Sequence, residues 1–197
     1  MRKLIIAAAL CLCGTANAEY LGLKHGRTAD MSAMPDLSVD AGFITGNIEN
    51  SDYLGFGARV NYRLRPGLFL YGDLGMVDVE GGDGLALGFG AFYNVPDLLD
   101  NFDTAVKASF HTGDFDSADI TAFSTEVVVS GFDSYIDSGL QWYANAGLHY
   151  FDGDRDNELE IGMGLGVVYP MADAEVFFGI DLIDELTVGM GYRYFIE

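Results

Sequence analysis

Beyond Cys13 this chain has no cysteine, and it is short of basic residues, with ten Lys and Arg against thirty Asp and Glu. It also has no long apolar run. Each shortage excludes something. No stretch approaches the roughly 18 consecutive apolar residues that a membrane-spanning helix needs, so a helical membrane protein is excluded. The acidic balance excludes nucleic-acid binding, which neutralises phosphates with basic patches. Disorder does not follow from the charge, because half of the residues are apolar and 13% are aromatic.

The first residues read as a secretory signal peptide. Arg2 and Lys3 precede an apolar stretch from Leu4 to Gly14, and Ala16-Asn17-Ala18 has the small-x-small form of a cleavage site. The signal is therefore expected over residues 1–18, with the mature chain beginning at Glu19. A short transmembrane anchor is the competing reading, but this stretch is too short to cross a bilayer as a helix. A lipoprotein through Cys13 is another, and Leu12 is a poor residue before a lipidated cysteine. Both cysteines fall within the signal, so the exported chain has no disulfide to stabilise it. Its remaining 179 of 197 residues suit one domain.

What the chain does have is alternation. In the last segment Leu186, Val188, Met190, Tyr192, Tyr194 and Ile196 fall on one face of a strand. Thr187, Gly189, Gly191, Arg193 and Phe195 fall on the other. The pattern recurs to give about ten strands between residues 36 and 197. Thus Leu54, Phe56, Ala58, Val60 and Tyr62 oppose Gly55, Gly57, Arg59, Asn61 and Arg63, before a turn at Arg65-Pro66-Gly67. Thr104, Val106, Ala108 and Phe110 oppose Lys107, Ser109 and His111. Ile161, Met163, Leu165 and Val167 oppose Glu160, Gly162, Gly164 and Gly166. An apolar face backed by glycine and isolated charges is the signature of an all-β, transmembrane, antiparallel up-and-down β-barrel, with ten strands predicted and eight as the alternative.

Two consequences follow from this register. No outward residue of these segments is charged, which lipid demands, since a Lys or Arg at mid-membrane costs about 2–4 kcal/mol. The inward charges are Asp40, Asp73, Glu126 and Glu160 against Arg59, Arg63, Lys107 and Arg193, a balanced interior network. Ten strands are expected to leave little more room than these side chains need, which argues against a wide aqueous pore. Tyr53, Tyr62, Tyr93, Tyr150, Tyr169, Tyr192 and Tyr194 cluster near strand ends, as girdles at a membrane interface would. Residues 19–35, with Lys24, His25 and Arg27, are not clearly strand; they read as a periplasmic extension or a plug in the barrel mouth.

With its signal sequence, dyad strands and final Val188-Gly-Met-Gly-Tyr-Arg-Tyr-Phe-Ile-Glu197, the chain resembles the small outer-membrane β-barrels of Gram-negative bacteria, the OmpA- and OmpX-like barrels. The resemblance covers residues 36–197 and implies location in the cell outer membrane. It implies outer-membrane lipids and lipopolysaccharide as surroundings, and the barrel assembly machinery and periplasmic chaperones as partners in biogenesis. One departure is that family members end on an aromatic, whereas here Ile196 is the last apolar position, Phe195 faces inward and Glu197 follows. The resemblance also implies periplasmic termini, which puts 46–52, 78–84, 112–122, 152–158 and 181–185 outside the cell as acidic surface loops. Asn94–Asn101 and Asp133–Gly139 become inner connections.

Little in the sequence points to chemistry, and no cofactor is implied. Asp152, Asp154 and Asp156 alternate as calcium-loop oxygens do, and Gly113–Asp119 is similar. Met163 stands where the distal glutamate of such a loop would be, so a solvated hairpin is the simpler reading. As a hypothesis, these residues hold Mg²⁺ or Ca²⁺ that bridges to lipopolysaccharide phosphates; calorimetry that finds no binding at millimolar ion would remove it. His111 and His149 face inward near Ser109, Asp114 and Asp152, which raises a rim enzyme acting on lipid or peptide, but no motif joins them. Gly162–Gly166 lacks the following helix and Lys-Ser pair of a phosphate loop. The function expected is therefore a non-enzymatic, structural or interaction role. The alternatives are a narrow porin, a rim enzyme, and a soluble periplasmic binder with its apolar faces turned inward.

Overall fold

The computed structural model describes residues 23, 25–32, 34–48, 51–79, 82–115, 118–132, 139–153, 157–183 and 185–196. The expected signal peptide lies outside them, as do Asp154 and Asp156. Ten antiparallel strands close into one barrel. In chain order these are β1 (Leu37–Ile48), β2 (Ser51–Arg65), β3 (Leu68–Val79), β4 (Gly82–Asn94) and β5 (Asp103–Phe115). Then come β6 (Ala118–Phe132), β7 (Gln141–Gly153), β8 (Asn157–Pro170), β9 (Ala174–Ile183) and β10 (Glu185–Ile196). Each strand pairs with its sequence neighbours, and β1 closes on β10 with Leu37 opposite Ile196 and Gly46 opposite Thr187. The even count brings the start of β1 and the end of β10 to one end, called here the terminal end.

The connections differ from the loops expected. At the far end the strands run on, leaving only 49–50, 80–81, 116–117, 154–156 and 184 between them. The acidic surface loops are therefore mostly ladder. Antiparallel pairing satisfies the backbone whatever the side chains are, so a polar stretch need not end a hairpin. Asp181, expected in a loop, is a buried residue of β9.

The longer connections lie at the terminal end. In 95–102, Asp97 and Asn101 take positive φ, residue types that tolerate the left-handed region. Thr104, expected to face outward, is buried there and donates its hydroxyl to the Val95 carbonyl at 2.6 Å. The β2–β3 turn places Gly67 at φ 77°. A Cβ there would meet only the Asn94 Cβ, at 3.7 Å, so space is not the constraint. Gly67→Ala is expected to lower stability by about 1–2 kcal/mol through backbone strain alone. The check is the urea midpoint of the folded protein; an unchanged midpoint would mean that the turn relaxes.

Every exposed stretch of large apolar side chains lies on the outward face. On β2 it runs from Leu54 to Leu64. Ten residue steps are roughly 34 Å of strand, or about 26 Å of height at a tilt near 40°, against a lipid-facing band of about 25 Å. Phe89, Phe110, Phe123 and Tyr150 lie directly opposite one another on β4 to β7 and form a ladder of rings, with successive centroids 5.2, 4.8 and 6.5 Å apart. Tyr62, Tyr93, Tyr169 and Tyr194 are exposed together at the terminal end.

The outward face is not free of charge throughout, as the shorter expected strands had it. Beyond the apolar band the extended strands carry Asp52, Asp78, Asp83, Asp114, Asp119 and Asp152 outward and exposed. Asp78 sits directly opposite Asp83, and Asp114 opposite Asp119. Like charges so placed repel. Asp78→Asn is expected to raise stability by about 0.2–1 kcal/mol at low ionic strength, with the gain shrinking in salt. Urea titrations at two salt concentrations check this.

Candidate functional site: the filled lumen

The interior is layered from end to end. At the terminal end it is apolar, built from Phe69, Phe92, Ala105, Val128 and Val168 of the wall with Ala29, Met31 and Met34 of the segment that precedes β1. At the far end Ile44, Val77, Ala86, Ala122, Phe151 and Ile183 are buried. Most of the inward charge lies between these tiers, whereas Arg63 sits at the terminal end, 5.1 Å from the Phe69 ring centroid. The sequence pattern had made the inward face small and polar, and the apolar tiers are the correction. Side chains that face only one another across a narrow lumen can be apolar.

Within the charged tier the inward residues find one another across neighbouring strands. Register explains this, since Asp40 lies opposite both Arg59 and Arg193, and Arg59 lies opposite Asp73. Arg193 donates from Nε and Nη2 to the two oxygens of Asp40, at 2.8 and 3.1 Å, and from Nη1 to Glu175 at 2.6 Å. Arg59 forks onto Asp73, its Nη2 reaching Oδ2 at 3.0 Å. The Asp73 carboxylate also meets Nε2 of His111 at 2.9 Å. Lys107 lies 3.3 Å from Glu126, which His149 approaches at 3.7 Å. Arg63, half buried, reaches Asp36 at 3.4 Å rather than the central network. Glu160 is half buried opposite His149.

The side chains of Asp40, Arg59, Lys107, His149 and Arg193 are at most 2% exposed. A water-filled pore would leave them wet. Four charged or titratable members of this interior went uncounted in the sequence. Glu175 stood on the inward face but outside the tally, Asp181 was assigned to a loop, and His25 and Arg27 come from no strand.

His25 and Arg27 belong to the segment before β1, of which Leu23, His25 to Ala29, Met31 and Met34 are buried inside the barrel. Leu23 rests over Gly42 and Gly57, where an added Cβ would come within 3.1 and 3.2 Å of it. His25 lies against Gly179 and Gly189, and its Nδ1 is 2.7 Å from Asp181. Gly26, at φ 82°, presses on the Phe177 ring where no side chain fits. The wall also binds the segment's backbone. Gly26 N–H donates to the Tyr143 hydroxyl at 3.0 Å, and Gly26 C=O accepts from Arg193 at 2.8 Å. Ala29 N–H donates to Ser130 at 2.8 Å, and its C=O accepts from Asn94 at 2.9 Å. The Arg27 guanidinium donates to Asn61 and stacks 4.6 Å from the Tyr71 ring centroid and 5.6 Å from that of Phe92.

The other candidate chemistry is not brought together. His111 and His149 lie deep in the interior, and Ser109 hydrogen-bonds Ser124. Asp114 and Asp152, their sequence neighbours, point outward into solvent. Asp152 pairs across the ladder with Thr121 and Asn157. Among the described residues no group of three His, Cys, Asp or Glu is placed to hold a metal ion.

No protein-family model matches the chain, and neither does any curated protein. Solved structures do resemble it. A bacterial polysaccharide outer-membrane secretin superposes with a TM-score of 0.51 at 6% identity, over 82% of this chain and 66% of that one. The chain thus spans about two thirds of that structure's length. The β domain of the Bordetella autotransporter BrkA gives 0.49 at 12% identity, over 81% and 98%. The KdgM porin gives 0.43 at 9%, over 81% and 99%. At such identities the likeness is one of fold, and the fold is the closed antiparallel barrel.

Proposed function

We propose that this chain is an outer-membrane β-barrel with a structural or interaction role. It stands in lipid with both strand termini on the periplasmic side and an acidic rim outside. The observation that carries this reading is the outward face: a band of exposed Leu, Phe, Val, Met and Tyr encircles the barrel, with acidic residues only beyond it. Water would not tolerate that surface on a monomer, since exposed apolar patches of soluble proteins rarely exceed a few hundred Å². The soluble binder would need these faces turned inward. No catalytic step is assigned. The acidic rim suits headgroups bridged by divalent cations, and lipopolysaccharide is the partner proposed.

The test is cell fractionation, followed by gel migration in SDS with and without boiling. A closed barrel whose backbone bonds are all satisfied internally resists SDS until heated. A heat-dependent shift in protein from the outer-membrane fraction is expected. Protein free in the periplasm, without a shift, would overturn the reading.

A further inference from the structure

The interior holds more than its own wall. An eight-stranded barrel is just filled by its side chains. Ten strands enclose more, and here the extra room is taken by residues of the segment before β1. The expectation that ten strands leave little more room than the wall's side chains need is corrected by that occupancy. The wall is shaped for it, with glycines at 42, 57, 179 and 189 where Leu23 and His25 approach. The wall is also unbalanced without it. Its inward carboxylates are Asp40, Asp73, Glu126, Glu160, Glu175 and Asp181, against the four cations Arg59, Arg63, Lys107 and Arg193. The segment brings His25 and Arg27 among these carboxylates, with its own Asp30 and Asp36 nearer the terminal end. His25 is set on Asp181, and Arg27 lies between two aromatic faces beside Asn61.

We propose that the lumen is a permeation path for small organic cations, and that Arg27 and His25 are tethered occupants of its cation sites. The segment before β1 is then a displaceable plug, and the solute class is the one its side chains imitate: guanidinium- and amine-bearing ions. The described residues of the segment form no helix or strand, and they are held by hydrogen bonds with Tyr143, Arg193, Ser130 and Asn94, by the His25–Asp181 pair and by the burial of Leu23, Ala29, Met31 and Met34. The segment's Arg27 guanidinium is met by the Asn61 amide oxygen and two ring faces, groups that would hold a free guanidinium equally, which favours exchange with a free cation of the same chemistry.

This inference rests on the membrane-barrel reading, and its test separates the two. The full chain and its Arg27→Gln and His25→Ala/Arg27→Ala variants are inserted into planar bilayers, after each has been checked for the heat-dependent gel shift. The wild type should be nearly silent. The variants should open about tenfold more often, the change that losing one charged hydrogen bond makes to a two-state equilibrium. Their reversal potential in a salt gradient should favour cations, because the vacated wall is acidic. Folded variants that stay silent, or that prefer anions, would overturn the proposal, as would a wild type that conducts as freely as they do. If neither variant folds, the wild type decides in millimolar methylguanidinium, which competes for the site between Tyr71 and Phe92. More frequent openings would uphold the plug, and unchanged silence would overturn it. A wild type without the gel shift would instead count against the membrane barrel itself.

Discussion

Leu74→Arg is expected to destabilise the barrel by about 2–4 kcal/mol when it is folded into lipid vesicles, the cost of an arginine near the bilayer midplane. Leu74 is exposed in the middle of the outward band, opposite Ala58 on β2 and Leu87 on β4. It has no place in the interior, so no cavity or lost core contact complicates the reading. On a soluble protein the same exchange at an exposed site would fall within about 0.5 kcal/mol of neutral. Asp152→Arg, beyond the band, is the control and should cost about 0–1 kcal/mol at most, as near an interface. Urea titrations of vesicle-inserted protein measure both. Equal, small effects at the two positions would mean that the band does not face lipid.

Arg193→Ala is expected to cost about 3–5 kcal/mol, because it leaves two buried carboxylates without their cation. Arg193 joins three parts of the interior at once: Asp40 on β1, Glu175 on β9, and the Gly26 carbonyl of the inserted segment. Lysine should not restore it, since a point charge cannot fork onto Asp40 while reaching the other two. Asp40→Asn in the same background should be far from additive, with a coupling of roughly 0.5–3 kcal/mol. The cycle is read by the same urea titrations. Additive effects would mean that water, not Arg193, compensates Asp40, and the interior would then be wet. The two experiments address opposite faces of the sheet, and both large effects follow from the scarcity of water there.

The faces of the strands were legible in the sequence because a strand's side-chain period is two. Leu54, Phe56, Ala58, Val60 and Tyr62 stand outward in the barrel as their alternation requires, and Arg59 and Asn61 stand inward. The strand ends were less legible. Asp52, Asp78 and Asp114 read as loop because polarity marks the end of a membrane band, but it does not mark the end of hydrogen-bonded pairing. Asp181 was missed for the same reason. Phe69, Val77 and Ile183 carry apolar side chains on the inward face, where the outward rule says nothing about what must be there.

What the sequence determined alone is thus the one-dimensional part: alternation, a ten-strand antiparallel barrel, and which residues of each strand share a face. Local periodicity is enough to specify those. The tertiary structure alone decided how the interior is filled. Arg193 meets Asp40 across a separation of 153 residues and the Gly26 carbonyl across 167. Those contacts exist only because β10 closes on β1. Arg27 reaches Asn61 and Tyr71 only because the barrel is wide enough to admit the segment that carries it. Closure and width are properties of the whole sheet, and no window of residues carries them.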